Sequence, residues 1–340
     1  MSTPAEEHVA ALPLPQTPSQ LRTARAALRR ALLGISPAET TFARRRFRGE
    51  SAAVRERLEK VGRCFVRGYN IALEEDRPLP LAARLEAEVE HEFQGFAYEG
   101  AGMALALLDT LIPGRRDRLA RFLAGPGQVH AYIVHVGAGW ILARLPISPE
   151  RLLARLEDRA LRWLALDGYG FHEGFFRWPR SVVQQAVPRK LRGYARRGFD
   201  QGLGRSLWFV DGADVRLIPR TLGAFAEARR PDLWSGVGLA CGYAGGRGEA
   251  DLEVLRRAAG PHAAQLAQGI AFAAKARERA GNPAAHTELA CQVICDLSAA
   301  AASAVTDDTF RGLPADRPGE PAFEVWRRRI QDRLSEGSLK

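Results

Sequence analysis

Proton transfer near neutral pH needs a histidine or a carboxyl group, and this chain sets both among glycines and aromatic residues. The segment FHEG (171–174) puts His172 beside Glu173, and AYEG (97–100) puts Tyr98 and Glu99 in the corresponding place. His91 and Glu92 make a further pair. Imidazole titrates near neutrality and a carboxylate can orient it, so these are the candidate catalytic residues. Successive residues on a helix project about 100° apart, so a working constellation must draw its members from different segments. The plainer alternative is that they are satisfied polar groups of a core.

Other motifs promise more than their context supports. IVHVGAGWILA (133–143) is an apolar run followed by GxG, as in a dinucleotide fingerprint. The third glycine is missing, and no further strands follow to build a parallel sheet. GVGLACGYAGG (236–246) lacks the Lys-Ser/Thr of a phosphate loop, so its glycines read as tight packing. His130, His135, His172, Glu173, Asp211 and Asp214 could converge on a metal, but no HExxH or Cys/His spacing requires it, and no metal site is assigned. No motif identifies a cofactor. Asp200, Arg205, Asp211 and Asp214 surround Trp208, where charges should pair internally.

The chain has 340 residues and a formal net charge of +10. Its arginines are spread among Asp and Glu along helical stretches, without aromatic-rich basic loops, so nucleic acid is not the expected partner. Cys64, Cys241, Cys291 and Cys295 are scattered and read as buried thiols of a reducing compartment. No apolar run reaches the ~18 residues of a membrane helix, and the acidic, Pro-containing N-terminus is unlike a signal peptide. The expectation is a cytoplasmic protein, membrane-associated at most through a partner.

The elements that must position the candidate residues are helices. Val54, Leu58, Val61, Phe65 and Tyr69 follow the three-four rhythm over 51–73, and Leu85, Val89 and Phe93 do so later. Two Gly-aromatic elements then alternate. GRCFVRGYN (62–70), VHAYIVHVGAG (129–139) and QGLGRSLWFVDGAD (201–214) make the first, which equates Gly137 with Gly68 and Gly212. FQGFAYEGAGMAL (93–105), LDGYGFHEGFF (166–176) and LWSGVGLACGYAGG (233–246) make the second. QGIAFAAKARERAG (268–281) and TELACQVICDLSAA (287–300) are weaker fourth copies, and the whole pattern recurs at roughly 70 residues.

Glycine costs a helix about 1 kcal/mol relative to alanine, so so many within helical patterns imply close approach of helices or of a ligand. The predicted fold is all-α: degenerate helical repeats packed as one globular domain around a Gly- and aromatic-rich centre. Residues 1–20 should be a disordered segment, 21–305 the repeat domain, and 306–340 a turn-rich tail with a C-terminal amphipathic helix. Tyr69, Phe96, Tyr132, Tyr169, Phe171, Trp208 and Tyr243 are the aromatic residues expected to line a binding site at that centre.

Five separated segments, in order, carry a family resemblance. RRALLGISPAETTFARRRFRG, FVRGYNIAL, FQGFAYEGAGMALALLD, DGYGFHEGFF and GVGLACGYAGG together resemble the UnbL-type family of enediyne-biosynthesis proteins, from about Ala27 to Arg329. The resemblance implies a role in converting a linear polyketide polyene into the enediyne core, together with UnbV-type and integral-membrane UnbU-type proteins. It carries over no catalytic residues. Two functions follow: part of a multi-protein desaturating or rearranging system, or a non-catalytic polyene-binding or scaffold protein of that assembly.

Overall fold

A helix that is apolar around its whole circumference has no face to give to water, so it must be enclosed by others. Several of the glycine-bearing segments behave in this way. The computed structural model describes residues 18–114 and 116–337. After α1 (Pro18–Leu33), the array begins with α2 (Ala52–Glu74), α3 (Gln94–Leu111), α4 (Ala131–Gly139) and α5 (Leu164–Phe176). It continues with α6 (Tyr194–Val210), α7 (Arg230–Ala244) and α8 (Ala263–Arg279); α9 (Ala299–Phe310) and α10 (Ala322–Gly337) follow. Every residue of α4 is buried, as is every residue of α3 from Gly95 to Asp109. Among the described residues there is no β-strand beyond one isolated bridge between Arg317 and Glu320, and the fold is all-α.

One rule holds the array together. A Cβ on Gly137 of α4 would lie 1.9 Å from the Glu99 carbonyl oxygen of α3, and one on Gly102 of α3 would lie 2.7 Å from that of Val134 in α4. Each helix thus seats a glycine against its neighbour's backbone, close enough for Cα–H to carbonyl contacts. As residue numbers rise along one helix, the touched numbers fall along the other, so the two run antiparallel. The same exchange joins Gly68 and Gly100 (α2, α3), Gly139 and Gly168 (α4, α5), and Gly170 and Gly202 (α5, α6). Gly204 and Gly236 join α6 to α7, and Gly238 and Gly269 join α7 to α8. The inner helices therefore carry GxG, the first glycine facing the preceding helix and the second the following one. Of the two GxG glycines, the terminal helices of the array carry only the one that faces a neighbour within it.

This corrects the repeat read from the sequence. The two alternating elements are one unit, recurring every 31 to 37 residues at its GxG positions. Gly139, not Gly137, corresponds to Gly68. Gly212 is no counterpart of either: it lies in the turn after α6 with φ +59°, and Gly202 and Gly204 hold the packing positions there. TELACQVICDLSAA bears no GxG and falls outside the array.

The boundaries also shift. Residues 1–17, the greater part of the segment expected to be disordered, lie outside the described residues, and 18–20 already belong to α1. The irregular part of the tail begins after Phe310, not at 306, because Ser298 caps α9 by accepting from the Ala301 amide and the helix runs on to that residue. Phe323, Trp326, Ile330 and Leu334 of α10 are buried against the body, as their spacing requires.

Candidate functional site

All seven helices of the array send side chains to one internal cavity with about 60 Å³ of free space. Its wall is largely a belt of rings. Phe65 of α2 stacks on Trp140, just beyond α4, at 4.1 Å; Trp140 meets Phe171 of α5 at 5.4 Å; Phe171 meets Phe209 of α6 edge-on at 5.3 Å. On the other side Phe96 meets Tyr243 at 5.0 Å and Tyr132 meets Phe272 at 6.4 Å. Cavities walled this way stay dry and favour apolar guests.

Charge enters the wall at one place. Arg205 donates through Nη2 to Glu99 Oε1 at 3.1 Å, and its Nε lies 3.1 Å from Asp167 Oδ1. Trp140 Nε1 donates to the same Glu99 oxygen at 3.2 Å, so both donors engage Oε1 and neither engages Oε2. Glu99 and Arg205 line the cavity; Asp167 stands behind them, bonded by Gln201 Nε2 at 3.0 Å. Glu99, Arg205 and Asp167 are only 4%, 6% and 1% exposed, so two carboxyls share one guanidinium out of water. Burial raises both carboxyls above their ordinary range, against the pull of Arg205.

Residues 24–334 match a family model described as "Protein of unknown function (DUF1702)". The chain belongs to the DUF1702 family. No curated protein and no solved structure matches it.

The sequence-predicted site residues of this DUF1702 chain divide between the cavity and other parts of the core. Glu99, Phe96, Tyr132, Phe171 and Tyr243 line the cavity. Tyr98, one position from Glu99, is buried away from the cavity, where it stacks on His130 at 3.9 Å and donates to Glu86. His172 and Glu173 are buried off the cavity, with Nδ1 and Oε1 3.7 Å apart. Burial holds the His172 imidazole below its ordinary range. Burial acts to raise Glu173, but His172 and Arg177 together bring it lower. The two pairs therefore do not meet. Their equivalence fails in register: Glu99 precedes the first glycine of its GxG, and the residue that does so in α5 is Asp167.

Tyr69, Tyr169 and Trp208 are packing residues. Tyr69 donates to the Leu33 carbonyl at 2.9 Å and Trp208 Nε1 to that of Gly245 at 2.9 Å, while Tyr169 packs edge-on against Phe199. Among the described residues, no three His, Cys, Asp or Glu side chains gather to hold a metal ion. His130 lies against Tyr98, and Asp211 pairs with Arg48. Cys241, Cys291 and Cys295 are buried free thiols, whereas Cys64 is only half-buried.

The sequence reading missed Arg205 as a cavity residue, placing it in a local cluster with Asp200 and Asp211. It also missed Asp167 and the rings of Phe65, Trp140, Phe175, Phe209 and Phe272. A signal for the two carboxyls exists once the GxG copies are aligned. The position before the first glycine carries Glu99, Val136, Asp167, Gln201, Ser235 and Gln268, a nearly continuous polar series inside otherwise apolar helices.

A second buried network has a different character. Arg327 of α10 donates to Asp232 at 2.8 Å and to Glu324 at 3.2 Å; Arg197 reaches Glu324 at 2.7 Å and Asp232 at 2.9 Å. Two guanidiniums face two carboxylates, and the network ties the C-terminal helix to α6 and α7. Its charges balance, whereas those at the cavity wall do not.

Proposed function

We propose that this chain is an accessory protein of enediyne biosynthesis that takes a linear polyketide polyene into its central cavity, working with UnbV- and UnbU-type partners. The family resemblance in the sequence motivates the pathway. The observation that carries the molecular role is the cavity: seven helices supply an aromatic belt, and charge enters it only at Glu99 and Arg205. A conjugated chain is flat, apolar and polarisable, so it gains from ring faces and loses little by leaving water. At about 60 Å³ the free space is smaller than such a chain, so binding requires the rings of the belt to move apart while the glycine exchange holds the helix backbones together.

Reconstitution tests this directly. Polyene is incubated with the two partner proteins, with or without this chain, and product is followed by mass spectrometry. Ala240→Phe places a ring into the cavity from α7, where Ala240 forms part of the wall. The expected result is product with the wild-type chain and little or none with Ala240→Phe, folding being verified by circular dichroism. Equal product from the filled variant, or without the chain, would overturn the proposal. A scaffold role draws on a different feature, the exposed Leu28 and Leu32 on α1. It predicts that Leu28→Lys and Leu32→Lys weaken partner binding while polyene binding persists.

A further inference from the structure

The unbalanced charge at the cavity wall has chemical consequences. Glu99 and Asp167 bring two carboxyls to Arg205, and among the described residues no further ion pair reaches either of them. Arg327 acts on Asp167 from a distance, but it belongs to the self-balanced network with Asp232, Glu324 and Arg197. Glu99 acts electrostatically on Tyr243 of α7, whose hydroxyl lies against Gly95, and Arg277 sits over that ring at 4.5 Å. A net negative charge in an apolar interior is costly, which favours a proton on one of the two carboxyls. Neither Arg205 nor Trp140 engages Glu99 Oε2, which leaves that oxygen open to such a proton.

We propose that Glu99 is the acid–base catalyst of a redox-neutral double-bond isomerisation of a conjugated polyene held in the cavity, with Asp167 and Arg205 as positioning residues. The proposal rests on the polyene-binding reading above. The Glu99 O–H bond breaks as a new C–H bond forms at one carbon of the conjugated chain, using one π pair. The resulting cation is delocalised along the remaining double bonds. Glu99 carboxylate then removes a proton from another carbon, whose C–H pair becomes the shifted double bond. Electrons and protons balance without an oxidant or reductant. If the same proton returns from the carbon it joined, rotation in the cation has exchanged E for Z geometry. The belt suits such an intermediate: the Arg205 guanidinium already rests 4.5 Å from the Phe171 ring centre, so this wall accommodates a cation. Glu99 carboxylate, formed in the first step, is then the adjacent counter-ion.

Either carboxyl can be neutralised without stranding the other. Glu99→Gln leaves an Arg205–Asp167 pair, and Asp167→Asn leaves an Arg205–Glu99 pair, so both variants should fold. The experiment uses the full chain, a synthetic all-trans conjugated heptaene hydrocarbon as probe, and D₂O. Binding is read from the red shift of heptaene absorbance, and turnover from deuterium gain and isomer composition. The wild type should bind, incorporate deuterium and produce new isomers. Glu99→Gln should bind equally and lose deuterium incorporation by at least ~100-fold. Asp167→Asn should bind, and because Glu99 then keeps its charge opposite Arg205, its activity should move to lower pH. Binding by the wild type without deuterium incorporation would overturn the acid–base proposal alone. Absence of binding would overturn both it and the cavity reading. Full incorporation by Glu99→Gln, or an unmoved pH profile in Asp167→Asn, would remove the assigned roles.

Discussion

Replacing Gly137 by alanine sets two effects against each other. Alanine is the better helix former by about 1 kcal/mol, which alone would stabilise α4. The new methyl carbon, however, falls 1.9 Å from the Glu99 carbonyl oxygen, where ordinary contact begins at 3.4 Å. The obstacle is backbone, so no side-chain rotation relieves it. Helix α4 must move about 1.5 Å away from α3, yet its other side is seated on α5, where Gly139 already meets the Ala165 carbonyl. The shift is therefore passed along the array instead of being absorbed locally. Overpacking of a well-filled core costs about 1–3 kcal/mol, and here the upper end applies. The net loss is about 2 kcal/mol, which at roughly 2 °C per kcal/mol for a chain of this size lowers Tm by about 4 °C. Gly223 closes a short helix with nothing within 4 Å of its would-be Cβ, so Gly223→Ala is the matched control and should hold or slightly raise Tm. Both are measured by calorimetry or by circular dichroism at the helical band. A Gly137→Ala protein melting at or above wild type would refute the backbone-contact account of the array.

Three other outcomes follow from the buried ionisable groups. Burial raises Glu99 and Asp167, so their contribution to stability is complete below the ordinary carboxylate range and is lost as pH rises through the raised values; urea titrations should show this decline with rising pH reduced in Glu99→Gln. Arg327→Met strands Asp232 and Glu324 in the core beside the single cation Arg197, and should cost about 3–5 kcal/mol, with hydrogen exchange rising first in α10; unchanged protection there would count against the network as its anchor. His130 is lowered from 6.5 to about 4 by burial, so the unfolded chain takes up its proton first and stability should fall as pH drops from about 6.5 to about 4, by about 3 kcal/mol from this group; His130→Phe should flatten that limb if the imidazole is its source.

The helices themselves were legible in the sequence because their causes are local. Three-four spacing marked α2 to within a residue at each end, and the apolar stripe of Phe323, Trp326, Ile330 and Leu334 marked α10. Glycine in helical context announced close approach, since its cost in propensity demands a return in packing. Elements without such periodicity were less legible. The segment 184–193 ahead of α6 is irregular: Pro188 lacks an amide hydrogen, and Gly193 takes φ +52°.

What the sequence determined alone was composition with a period: apolar helices, glycines inside them, and aromatics nearby. Those properties depend on residues a few positions apart, and they sufficed for an all-α fold with a Gly-aromatic centre. Tertiary structure decided which glycine faces which neighbour, because an antiparallel pair matches positions by falling and rising number, not by similarity of phrase. That register separated Glu99 from Tyr98 and from the His172–Glu173 pair, and joined it to Asp167 and Arg205 from two other helices. Residues that are 68 and 106 positions away from Glu99 in the chain became its nearest charges. Their meeting depends on how seven helices close around one space, and its trace in the sequence is a polar residue before the first glycine in five of six copies.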